Sequence, residues 1–139
     1  MRPAPLAVIL GLSLAGAAFA ADMSVRDQMK TVVEPGASTL FAVGGEVDPA
    51  NGPDAATVPE ARWDEALKAA KALKGVGADL TGSQKKPGEE WAKAAADFAT
   101  LADDAVKAAT KKDGAGFSKA ANDLGDTCTA CHSKYKKQG

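Results

Sequence analysis

The chain has 139 residues, a length for one domain, with 17 Lys and Arg set against 18 Asp and Glu. So even a balance builds no large single-sign field, which argues against nucleic acid as the main partner. Of these residues 31 are Ala, the best helix former, and aromatics are only 5%, which disfavours a β-sandwich and leaves few large side chains to fill a core.

At the N-terminus Arg2 precedes an apolar run from Leu6 to Ala20, and Ala18-Phe19-Ala20 offers the small residues a signal peptidase reads. Residues 1–20 therefore read as a secretory signal peptide, cleaved before Ala21. The run of about 15 apolar residues is short of the roughly 20 needed to span a bilayer. Arg2 stands alone, so the twin-arginine variant is not supported. Cleavage leaves a domain of residues 21–139 and takes away one positive charge, from −1 to about −2. No second hydrophobic segment follows, so no stable membrane insertion is expected after cleavage. In a diderm bacterium the destination is the periplasm.

Four helical stretches follow in the mature chain. The first is expected from about Ser24 to Val43, with Val25, Met29 and Val32 on its interior stripe and a kink or stop at Pro35-Gly36. Gly44 to Thr57 reads as a loop. Thr57-Val58-Pro59-Glu60 fits a capping box that would start the second helix, whose stripe is Trp63, Leu67, Ala70 and Leu73, with Gly75 and Gly77 as its end. Pro87 suits the first turn of the third helix, with Trp91, Ala95, Phe98, Leu101 and Ala105 as its apolar face. Asp113 is placed to cap the fourth, where Phe117, Ala121, Leu124, Cys128, Cys131 and Tyr135 repeat at spacings of four and three. Four such helices with one stripe each predict an all-α, antiparallel up-down-up-down four-helix bundle.

The two Cys and the one His of the chain fall within five positions, Cys128-Thr129-Ala130-Cys131-His132. C-x-x-C-H reads as a c-type haem attachment site. On a helix, positions i, i+3 and i+4 share a face. Two thiols at that spacing suit the two vinyl groups of one porphyrin edge, and the adjacent imidazole suits the iron as proximal ligand. A thioredoxin-like pair belongs beside a βαβ pattern, and no strand is visible. A zinc site needs further ligands, and the chain has no other Cys or His. One covalently attached haem c per chain would also supply the apolar bulk that the side chains lack.

In an up-down-up-down bundle the first and last helices run antiparallel, so the neighbour of His132 is the start of the first helix. Met29 lies there, as a candidate sixth ligand to the iron or as core filler. Arg26, one turn earlier, is a candidate contact to a haem propionate, against a solvated surface role. Lys119, Lys134, Lys136 and Lys137 make the last helix and its end basic, which suits a helix C-terminus and would also steer an acidic partner.

With an export signal, four helices, Cys128-Thr129-Ala130-Cys131-His132 near the C-terminus and Tyr135 four residues after Cys131, the mature chain resembles the class II c-type cytochromes, the cytochrome c′ and c556-like family. Class I cytochromes carry the motif near the N-terminus. The resemblance implies haem bound by Cys128, Cys131 and His132. In the c556-like branch a methionine of the first helix completes six-coordination, and Met29 fits that position. In the c′ branch the iron stays five-coordinate and open to NO or CO. The expected function is a periplasmic monohaem electron carrier serving redox partner proteins, and not an enzyme. The alternative is a five-coordinate protein that binds NO or CO. Monomer and homodimer both fit.

Overall fold

The structure, a computed structural model, describes residues 23–51, 55–82 and 88–136. The expected signal peptide, Pro87 and Lys137 lie outside the described residues. Four helical rods form the expected antiparallel bundle, and no strand occurs among the described residues. The first rod runs through α1 (Val25–Gln28), a π-helical turn (Met29–Val33) and α2 (Glu34–Glu46). The others are α3 (Glu60–Gly82), α4 (Glu89–Lys111) and α5 (Gly114–Tyr135). Each rod packs on the next, and α2 packs on α5 to close the bundle.

The first rod opens on a side-chain cap, Ser24 Oγ accepting from the Asp27 N–H at 3.1 Å. The break expected at Pro35 is accommodated inside the rod. Proline brings no N–H, and its ring would strike the carbonyl four residues earlier, that of Thr31. The π turn just before it widens the rod there, with the Glu34 N–H donating to the Met29 carbonyl. The Thr31 hydroxyl donates to the Asp27 carbonyl at 2.7 Å. Beyond Pro35 the rod does not stop at Val43. It carries Gly44 and Gly45 as helix and reaches Glu46, which corrects the loop expected from Gly44. Gly44 is buried where the rod meets α5, and a Cβ there would stand 3.0 Å from the Ala121 Cβ. The glycine is a packing residue and not a breaker.

α3 begins at Glu60, two residues later than a cap at Thr57 would start it. Thr57 closes a short 3-10 turn (Ala55–Thr57). Pro59 stands just before the helix, where a missing N–H costs nothing, and its carbonyl accepts from the Arg62 N–H at 2.9 Å. The helix then runs past Gly75 and Gly77 to Gly82. At Gly77, α3 and α4 touch backbone to backbone: a Cβ would meet the Ala99 Cα at 2.7 Å. Around Gly75 there is open space. Gly77→Ala is therefore expected to destabilise the bundle by about 2 kcal/mol despite its gain in helix propensity, because the rods must part. Gly75→Ala is expected to stabilise it by up to about 1 kcal/mol. Denaturant midpoints of the two variants give the comparison, and a Gly77→Ala midpoint at or above the parent's would refute the close-packing account.

α5 follows its expected seam. Asp113 caps it, its carboxylate accepting from the Gly116 N–H at 3.0 Å. Phe117 and Leu124 are fully buried, while Cys128, Cys131 and Tyr135 are half-buried farther along. Alanines such as Ala66, Ala70, Ala102 and Ala105 are completely covered and let the rods approach closely. One end of the bundle is closed. There Trp63 packs edge-on to Phe117, with ring centroids 5.8 Å apart. The Arg62 guanidinium grips the Glu46 carboxylate through Nε and Nη2, at 3.0 and 2.5 Å, and holds that carboxyl below its ordinary range. At this degree of exposure the pair is worth at most about 1 kcal/mol.

Candidate cofactor cleft

At the opposite end the start of the first rod, the end of α3, the start of α4 and the end of α5 surround a cleft. It is partly open to solvent. Its lining is almost wholly apolar. Val33, Leu80, Trp91, Ala94, Ala95 and Phe98 form the walls. Met29 enters from the first rod, and Thr127, Cys128, Cys131 and His132 from α5. The Thr127 hydroxyl donates to the Asp123 carbonyl at 3.1 Å, back within its own helix.

The cleft wall is fixed by two contacts of Trp91. Its indole N–H donates to the Leu80 carbonyl at 3.0 Å, which ties the end of α3 to the start of α4. Its ring meets Tyr135 edge-on, with centroids 5.1 Å apart. An indole buried with its one donor satisfied is a stable wall. Salt bridges partly neutralise the basic α5: Lys134 pairs with Glu90 of α4, and Lys119 with Asp123.

The structure thus brings Cys128, Cys131, His132 and Met29 to one cleft. It does not bring Arg26, which is exposed and does not line it. The stripe expected on the first rod is also turned. Val25, Met29 and Val32 are half-buried, and the buried residues are Gln28 and Val33, at 5% and 7% exposure. The π turn adds a residue to the rod, so everything before it is rotated by about one position, roughly 100°.

The two cysteines, one helical turn apart, are not joined as a disulfide. Burial in the wall, and then the neighbouring Cys131, push the Cys128 thiol above its ordinary range, so it is protonated at neutral pH. His132 stands at the solvent-facing rim. Two thiols, an imidazole and a thioether around an apolar slot fit a flat apolar macrocycle with an iron centre. That donor set combines attachment points with a nitrogen and a sulfur ligand. Among the described residues no cluster of three or more His, Cys, Asp or Glu is placed for a bare metal ion.

Leu80 and Val33 are wall residues that the sequence reading missed. Leu80 lay beyond the glycines expected to end α3, although Leu73, Val76 and Leu80 continue the stripe at three and four. Val33 was hidden by the turned register.

Residues 83–136 match the family model described as Cytochrome C′. The matched stretch holds α4, α5 and the C-x-x-C-H motif. No curated protein and no solved structure matches the chain. None of the described helices is long and apolar enough to cross a membrane.

Proposed function

We propose that this chain, whose residues 83–136 match the Cytochrome C′ family model, is an exported monohaem electron carrier of the class II c-type. Cys128 and Cys131 would hold one haem c, and His132 and Met29 would serve as its iron ligands. The observation that carries this reading is the meeting of these four side chains, from opposite ends of the sequence, in one apolar cleft.

Bound there, the haem supplies a one-electron ferric/ferrous couple. The residues divide the remaining work. Cys128 and Cys131 tether, at the one-turn spacing that two thioether bonds require. His132 presents its imidazole from the rim, where solvent reaches it. Met29 offers a soft thioether from the facing rod, a ligand that raises the reduction potential. Leu80, Trp91 and Phe98 exclude water and favour the less charged ferrous state. Ligands held by two packed rods need little rearrangement when the charge changes, which suits a carrier serving redox partner proteins and not a catalyst. Residues 1–20 direct export to the periplasm. The chain works without nucleic acid or stable membrane insertion, as a monomer or a homodimer.

A second reading has one observation in its favour. The matching family model is described as Cytochrome C′. An iron without Met29 would be open to NO or CO. Visible spectra of the mature protein, ferric and ferrous, before and after CO, separate the two. The electron-carrier reading expects a low-spin ferrous spectrum indifferent to CO and a weak far-red ferric sulfur–iron band. Met29→Leu should abolish that band and admit CO. A wild-type spectrum that is high-spin and shifts at once with CO would transfer the assignment to gas binding.

A further inference from the structure

The first rod can be read in two registers. Written as continuous α-helix, Val25, Met29, Val32, Gly36, Leu40 and Val43 recur at four, three, four, four and three, an unbroken apolar seam with Met29 near its start. The structure adopts the other register before Pro35. Gln28 and Val33 are turned into the bundle, Met29 is half-buried, and it lines the cleft.

We propose that Pro35 is a positioning residue for Met29: by holding the π turn open, it keeps the thioether at the edge of the cleft and off the inner seam of the bundle. The spectral part of the claim rests on the reading of Met29 as an iron ligand; the register itself does not.

First, the part of the rod after Pro35 is not able to turn. Gly36 is wedged against α3, where a Cβ would stand 3.1 Å from the Leu73 Cδ2, and Gly44 is wedged against Ala121 of α5. A change of register must therefore fall on the residues before Pro35. Second, the α register is favourable in composition, with three apolar residues inward and Gln28 outward. Burying an amide in place of that seam is costly unless something forbids the alternative. Third, Pro35 forbids it. Its ring excludes the Thr31 carbonyl from the place an α-helix requires, and it brings no N–H to bond there. A non-proline residue at 35 restores that bond, closes the turn, and rotates α1 and Met29 by about one position.

The test uses the mature haem-loaded protein. Pro35→Ala is expected to slow amide exchange across residues 31–35 by about tenfold, as the π turn becomes α-helix. It should also weaken or remove the sulfur–iron band. Deleting Lys30 in the Pro35→Ala background takes one residue from the same stretch, returns α1 to its former rotation, and is expected to restore the band. A purely structural role for Pro35 would not produce that rescue. Gln28→Lys gives a readout independent of the iron. It should strongly lower the thermal midpoint in the parent, where residue 28 is buried, and much less in Pro35→Ala, where residue 28 faces water. An equal loss in both backgrounds would overturn the register assignment. Unequal losses with an unchanged band would overturn the positioning of Met29. A parent protein with no sulfur–iron band would remove Met29 as ligand, and the Gln28→Lys comparison would then decide the register alone.

Discussion

Replacing both Cys128 and Cys131 by alanine is expected to remove haem from the denatured chain and to cost the folded one much of its stability. After expression with the haem-maturation machinery, the parent should give a haem-staining band on a denaturing gel and the variant none. The larger effect is on folding. The cleft end has walls of Leu80, Trp91 and Phe98 and two alanines, Ala94 and Ala95, around an apolar opening. Apolar surface around such a space finds no partner unless a bulky group covers it. A tethered group contributes to the folded state alone, so its loss should lower stability by at least about 3 kcal/mol, roughly 10 °C in the thermal midpoint of a domain this size. Yield and helical content by circular dichroism should fall together. Normal helicity and an unchanged midpoint in the variant would mean that the cleft is self-sufficient and that the two thiols serve something other than haem attachment.

The parts of this molecule that were legible in its sequence are those governed by local periodicity. The α5 seam, the Asp113 cap and the grouping of Cys128, Cys131 and His132 follow from i, i+3 and i+4 on a single helix. Met29 could be brought to that group by topology alone, because an up-down-up-down order puts the first and last rods side by side in opposite directions. The glycines were misread for a physical reason. In sequence, Gly44, Gly45, Gly75 and Gly77 are breakers, since an isolated helix loses about 1 kcal/mol at each. In the bundle, Gly44 and Gly77 lie where rods touch, and the absence of a Cβ is what permits contact. That information belongs to the partner helix and is not written locally. Pro35 was legible as a disturbance but not as a rotation. A kink, a stop and a π turn all answer the same missing N–H, and only the third exchanges Gln28 for Met29 on the inner face.

Phe117→Ala is expected to be the most damaging single side-chain truncation at the other end of the bundle, about 4 kcal/mol of a total that is ordinarily 5–15. Phe117 has no exposed surface, and it meets Trp63 edge-on, so its removal opens a cavity and also ends an aromatic contact. Collapse around the cavity is limited, because Gly114, one turn before it on α5, is already in contact with the Val47 backbone and has no slack to give. The consequence for the cleft is different. Cys128 lies eleven residues farther along α5, about 16 Å by helical rise, and the contacts that fix the cleft wall run through Trp91, Leu80 and Tyr135. The variant should therefore unfold at much lower denaturant while its visible spectrum below the transition matches the parent's. Denaturant titration followed at once by far-ultraviolet circular dichroism and by visible absorbance reads both. A spectrum altered well before the helices melt would show that the closed end holds the cofactor end in place. An unaltered one would show that stability and ligation are built at opposite ends of the same four rods, so that the closed end can be weakened or strengthened without retuning the iron.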